Sequence, residues 1–288
     1  MANQLALRTL LTQPPHSILA DARAHIIHFE AGGAGFMSGA SVQTVRPSNG
    51  KYLTLDDIAA RAVITDDVHK CPTRVISLEN TTGGNIIPVA ELRRISTWAR
   101  RRDIKLYLNS TRIWEVVAAE AGSIPDYAAT CDLMSLDFSK NLGAPMGAMV
   151  VGSSRLIAQL RRIRKSISGG MRQSGPLAAA AKIAVEEQFG TGIWEGQGKL
   201  RGVHGMSKRV GNMWVEMGGR LLRDVETNQV WVDLRKAGVS VEQWNELGRK
   251  HGVQLDRKSI VFHHQVGMEA VRRLGFVFEE ALRVEPRL

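Results

Sequence analysis

The feature that most narrows the fold of this chain is a regular exchange of two periods along its first half. "SILADA" from Ser17, "SVQTV" from Ser41, "RVISLEN" from Arg74 and "KLYLNS" from Lys105 read as strands, being short apolar runs rich in β-branched residues. Between them, "LDDIAARAV" and "PVAELRRISTWARRRD" carry helical spacing, the second with proline in its first turn. Gln4 to Leu11 and a segment from about His25 are helix-like as well. Strands that alternate with helices build βαβ units, so the pattern predicts an α/β protein with a mostly parallel sheet covered on both faces.

After about Gln188 the pattern changes. Glycines crowd into "FGTGIWEGQGKLRG", which reads as a linker or loop. A long helix from about Leu200 follows, then strand signals "RLLRDV" and "NQVWVDL", a helix near Val241–His251, a strand "SIVFHH" and a closing amphipathic helix. We expect a large α/β domain over residues 1–195 and a smaller α+β domain over residues 196–288.

Composition removes several classes. The two cysteines, Cys71 and Cys131, lie far apart, which indicates neither a disulfide framework nor a thiolate zinc site and favours a reducing, cytoplasmic home. No apolar run approaches the ~20 residues of a membrane span, so no membrane partner is expected. Lys and Arg number 38 against 28 Asp and Glu, a formal charge of +10, with clusters at Arg100–Arg102 and at Arg161, Arg162, Arg164 and Lys165. Nucleic-acid binding is the weaker reading of that charge, because no aromatic residues of the base-stacking kind interleave the clusters. Solvated helix faces or an anionic small-molecule ligand explain it more simply.

The chemistry gathers at the strand ends. In "MSLDFSKNLGAPMGAMVVG", Met134, Leu136 and Phe138 alternate with Ser135 and Asp137, a turn follows through Asn141, Gly143, Pro145 and Gly147, and Ala148 to Val151 read as another buried strand. Lys140 starts that turn. It is either the first solvated residue after a strand or, desolvated at a strand end, an imine-forming nucleophile. His25 follows the first strand, Asn109 ends another with Arg112 after it, and "SGGMRQSG" presents Arg172 in a glycine-rich loop. Each alone fits a structural role. Together with Lys140 they describe a flat aromatic ligand stacked by an imidazole, held at its ring nitrogen from a strand end, with guanidinium groups for carboxylate and phosphate.

Through "MANQLAL", "HIIHFEAGGAG", "ISLENTTGGNIIPVAELRRI", "FSKNLGAPMGAMVVGS", "GGMRQSG" and "ETNQVWVDL", the chain resembles the threonine aldolase family from Met1 to about Gln265. That family of pyridoxal-phosphate enzymes lies within the beta-eliminating lyase group, and the likeness is to its fungal-type branch. The resemblance implies the type I, aspartate-aminotransferase-like fold and cleavage of a β-hydroxy-α-amino acid to glycine and an aldehyde, with a small amino acid as substrate. Lys140 matches the lysine that links covalently to pyridoxal 5'-phosphate, His25 the histidine stacked on its ring, Arg112 the arginine that grips the substrate carboxylate, and Arg172 the one near the cofactor phosphate. A homodimer or homotetramer is implied as well.

The chain also departs from the family. Where members read His-Leu-Asp-Gly-Ala-Arg it reads "YLNSTR", so the neutral Asn109 replaces the aspartate that pairs with the pyridine nitrogen, and the electron sink is expected to be weaker. Ser259 stands where a second arginine is expected, beside Arg257 and Lys258, and Thr82 where some members carry histidine. Met1 falls inside the family's Ser-Gly-Thr-x-Ala-Asn-Gln region, so the phosphate-binding segment is expected to be missing. An amino-acid racemase with the same cofactor, and a catalytically impaired paralogue that keeps the fold, are the alternative readings.

Overall fold

We describe the protein from a computed structural model, which defines residues 1–190 and 198–283. The boundary expected after residue 195 therefore lies outside the described residues. The chain divides into two compact units, one of Met1–Thr82 with Ile86–Glu186 and one of Gly83–Asn85 with Glu187–Leu288.

The first unit is built on a six-stranded sheet: β1 Ser17–Asp21, β2 Ser41–Val45, β3 Thr73–Glu79, β4 Lys105–Ser110, β5 Leu133–Asp137 and β6 Ala148–Gly152. Their order is β2-β1-β3-β4-β5-β6. The first five run parallel and β6 is antiparallel to β5. β1 is buried along its whole length, as a central parallel strand covered on both faces must be. β6, expected as a buried strand, instead leaves Ala148, Met149 and Gly152 exposed, because it is the sheet's edge and pairs on one side only.

The helices of this unit are α1 Ala2–Leu10, α2 His25–His28, α3 Gly33–Ser38, α4 Leu55–Arg61, α5 Val89–Arg100, α6 Ile113–Ala118, α7 Ile124–Ala128, α8 Ser154–Ser166 and α9 Gly175–Ala184. Local chemistry fixes where they begin. Thr54 with Asp57 opens α4, and Ser123 with Asp126 opens α7, each pair as a reciprocal capping box. α5 buries Leu92, Ile95, Ser96 and Ala99, the three-and-four spacing of one helix face. A π-helical turn, Val185–Phe189, follows α9.

The second unit contains α10 Lys199–Glu216, β7 Gln229–Trp231, α11 Val241–Lys250, β8 Ser259–Val261 and α12 Met268–Arg283, with β7 and β8 antiparallel. Its core centres on Trp214, Trp244 and Phe278. Trp214 meets Phe278 edge-on at 4.9 Å and Trp244 stacks on it at 6.0 Å. The strand expected at "RLLRDV" reduces to one isolated bridge, Leu221 to Val232. Among the described residues no helix is long and apolar enough to cross a membrane.

Candidate active site

The carboxyl ends of the parallel strands carry the polar side chains. The strand order reverses at β1, since the chain passes to β2 on one side and to β3 on the other. In parallel α/β sheets the crevice at such a reversal takes the ligand. Here it is bridged by one contact: β1 leads into α2, and the backbone N–H of His25 donates to Glu79 Oε1 at the end of β3, at 2.8 Å.

From Glu79 a row of polar groups crosses the sheet. Glu79 pairs in register with Asn109 and Asn109 with Ser135, which puts the three on one face of adjacent strands. Asn109 Nδ2 donates to Glu79 Oε1 at 3.0 Å, and Ser135 Oγ lies 3.3 Å from Asn109 Oδ1 as its donor. The fully buried Tyr107 hydroxyl, with one proton for two acceptors, lies 2.6 Å from Asn3 Oδ1 and 2.8 Å from Ser135 Oγ. Asn3 and Gln4 of α1 both donate to Glu30. Glu30 Oε1 in turn sits 2.7 Å from His25 Nδ1, which closes the network on the histidine. Burial is the main influence on the Glu79 carboxyl and raises its pKa, against the hydrogen bonds from His25 and Asn109, which lower it.

Lys140 and Arg112 line a small cleft together with Thr111, Trp114, Glu115 and Asp137. Asp137 ends β5 and shapes the turn, its Oδ1 accepting from the backbone N–H and the hydroxyl of Ser139 at 2.8 and 2.7 Å. Trp114 Nε1 anchors the same strand end by donating to the Asp137 carbonyl at 2.8 Å. The chain then delivers Lys140, whose Nζ donates to Thr111 Oγ1 at 2.8 Å. Desolvation holds the Lys140 ammonium below its ordinary pKa, the Arg112 charge adds to the shift, and Asp137 and Glu79 oppose it. Desolvation likewise lowers the pKa of Arg112, against Glu115 and Asp137. No hydrogen bond or ion pair joins the Arg112 guanidinium to any described residue.

Four residues singled out from the sequence thus gather in the first unit. Glu79 hydrogen-bonds Asn109 and the His25 backbone, and Lys140 feels the charges of both Glu79 and Arg112. Arg172 stands apart, exposed between α8 and α9, with no hydrogen bond or ion pair to a described residue. Thr82 is buried and donates to the Glu79 carbonyl at 3.0 Å. Ser259 opens β8 in the second unit, with Arg257 and Lys258 exposed before it. Sequence reasoning missed Glu79, Ser135, Tyr107 and Glu30. Only Glu79 left a signal, as the acid that terminates an otherwise buried strand.

Residues 1–237 match the beta-eliminating lyase family. The chain is 48% identical to the alanine racemase TOXG of Cochliobolus carbonum, covering 99% of this chain and 74% of that protein. It is 45% identical to the aldolase vrtJ of Penicillium aethiopicum, with coverages of 98% and 71%. To the low-specificity L-threonine aldolase of Candida albicans it is 40% identical, with coverages of 94% and 71%. Among solved structures, the threonine aldolase of Leishmania major superposes with a TM-score of 0.75 at 17% identity, over 97% of this chain and 81% of that one. The same architecture recurs in aspartate aminotransferase of Thermus thermophilus, with a TM-score of 0.68 at 12% identity, over 98% and 74%.

Proposed function

Because the chain belongs to the beta-eliminating lyase family, whose cofactor is pyridoxal phosphate, we propose that it cleaves a β-hydroxy-α-amino acid of the threonine type to glycine and an aldehyde. One observation carries this reading. Lys140 and Arg112 share a cleft as cations of lowered pKa, neither of them in an ion pair with a described residue. Two partly desolvated positive charges side by side, offset by the fields of Glu115, Asp137 and Glu79 but by no direct ion pair, are costly to the fold. They suit a site that receives an anionic aldehyde and an amino-acid carboxylate.

The donor set fits the cofactor. Lys140, with its proton loosened by desolvation, would supply the amine for the aldehyde and Asn109 the polar group for the ring nitrogen, whereas Arg172, expected near the phosphate, stands apart from them. The bound cofactor acts as an electron sink for the bond broken at the substrate α-carbon. Arg112 orients the substrate through its carboxylate with a planar, two-pronged donor. His25 is prepared to move a proton: Glu30 takes its Nδ1–H, so Nε2 is left as the acceptor of the neutral ring, suited to the substrate's β-hydroxyl proton.

A second reading, amino-acid racemisation, is favoured by the neutral Asn109 and by the 48% identity to a protein called alanine racemase. A weakened electron sink is compatible with simple proton exchange at the α-carbon. The two readings separate in one experiment. The cofactor-loaded protein is given L-threonine and L-allo-threonine, with aldehyde followed by coupled reduction, and separately L-alanine, with the product resolved on a chiral column. Aldehyde release supports the lyase; D-alanine without aldehyde supports the racemase and rejects the lyase.

The proposal extends to a homodimer or homotetramer working in the cytoplasm. α9 is apolar along most of its length, yet only Ala184 is buried, and Phe36, Met149 and Ile183 are exposed. A helix that is apolar nearly all round needs a cover, which a second copy would supply. Light scattering of the purified protein tests this; a monomer at micromolar concentration would count against it.

A further inference from the structure

Glu79 and Asn109 carry an inference that rests on that reading and deepens it. We propose that Glu79 makes the neutral Asn109 an effective partner for a protonated ring nitrogen: its carboxylate holds the amide by Nδ2 and supplies, from one residue behind, the negative charge that an aspartate would supply directly. Glu79 is in this sense a positioning residue, since it acts through Asn109.

The geometry supports each part. The strand register places Glu79, Asn109 and Ser135 in one row. An amide has a donor end and an acceptor end, and both are assigned here. Nδ2 is committed to Glu79 at 3.0 Å, while Oδ1 takes the Ser135 hydroxyl at 3.3 Å and keeps its second lone pair. Asn109 therefore offers an acceptor, which is what a protonated nitrogen needs. A carboxylate that accepts from one end of an amide polarises it and strengthens the oxygen at the other end. The same Glu79 Oε1 also accepts the backbone N–H of His25 at 2.8 Å, a donor that no change of pH removes.

This arrangement has a consequence that a merely structural glutamate would not. A carboxylate introduced at position 109 would lie within hydrogen-bond distance of Glu79, and two acids so close share one proton instead of ionising together. Asn109→Asp alone should then gain little. In the Glu79→Gln background the same substitution should restore what Glu79→Gln removes.

The experiment reads the ring nitrogen itself. The parent, Glu79→Gln, Asn109→Asp and the double variant are each loaded with pyridoxal phosphate carrying ¹⁵N in the ring, and the ¹⁵N resonance is recorded at one pH. Borohydride trapping on Lys140 confirms loading, and circular dichroism confirms the fold; glutamine keeps an oxygen for both donors that Glu79 accepts. The parent should show the resonance of a protonated pyridine, Glu79→Gln should move it to the unprotonated position, and the double variant should move it back. Turnover should fall in Glu79→Gln about tenfold for each unit by which the nitrogen's pKa drops below the assay pH and recover in the double variant. An unprotonated parent, a resonance unmoved by Glu79→Gln, or a double variant that fails to restore it overturns the role of Glu79. A parent that traps no cofactor on Lys140 overturns the functional reading, and this inference with it.

Discussion

Arg112 offers the sharpest separation of a binding residue from a structural one. If its guanidinium takes the substrate carboxylate with two parallel bonds, each is charge-assisted and contributes about 1.5–3 kcal/mol. Arg112→Lys keeps a positive charge opposite Glu115 and Asp137, whose fields favour one there, but loses one prong. That loss should lower kcat/KM about 10- to 100-fold at 1.4 kcal/mol per tenfold. Arg112→Ala loses both prongs and should cost about 10²- to 10⁴-fold. The assay is NADH-coupled reduction of the released aldehyde, with cofactor content fixed by absorbance. Threoninamide, which lacks the carboxylate, is run in parallel. The parent should prefer the acid strongly, and Arg112→Ala should accept acid and amide about equally. Losing the amide reaction as severely as the acid reaction would refute carboxylate recognition by Arg112 and make its role one of architecture.

Further outcomes follow from the same geometry. Lys140→Met should abolish borohydride trapping of pyridoxal phosphate. Lys140 has a folded-state pKa below its ordinary 10.5, so the unfolded chain binds more protons between the two values and stability rises with pH across that window. Below the window the charged Lys140 is a fixed cost. Lys140→Met should therefore be at least as stable as the parent at pH 7 in thermal melts, and a clear loss of Tm would contradict the desolvation argument. Trp214→Ala empties the centre of the second unit's core and should cost about 3–5 kcal/mol, read by urea unfolding; a loss under 1 kcal/mol would mean that the aromatic cluster is not what holds that unit.

Much of the fold was legible in the residues. β1 to β5, α5 and α10 to α12 follow from periods of two and 3.6 with recognisable start signals. α6 was not legible, because Ile113 to Ala118 are all buried and no polar face marks the helix. α8 buries only Leu160, so its arginines stood out as a charge cluster, for which a solvated helix face was one of two simple readings. The exposure of β6 depends on its place at the sheet edge, which no local pattern encodes. In the candidate site, Lys140, Arg112, Asn109 and His25 were singled out because each sits in a short motif. Glu79 was overlooked because its partners lie 30 and 54 positions away, and its meaning appears only once β3 and β4 are in register.

The polar network behind His25 has a consequence for how the protein is made. Its members come from α1, α2, β3, β4 and β5, and Tyr107 and Asn3 meet across 104 positions of sequence. Such contacts carry a high loop-closure cost, since the entropy of bringing distant segments together must be overcome before they form. No early fragment of the chain holds the site, and a ligand recognised by it binds only the finished unit. At a hundred times its Kd such a ligand adds about 2.7 kcal/mol to that unit as a whole. Cofactor supply during synthesis would then govern how much of the chain survives the cell's proteases, and an assay of cofactor capture in a growing culture would measure folding yield as much as affinity.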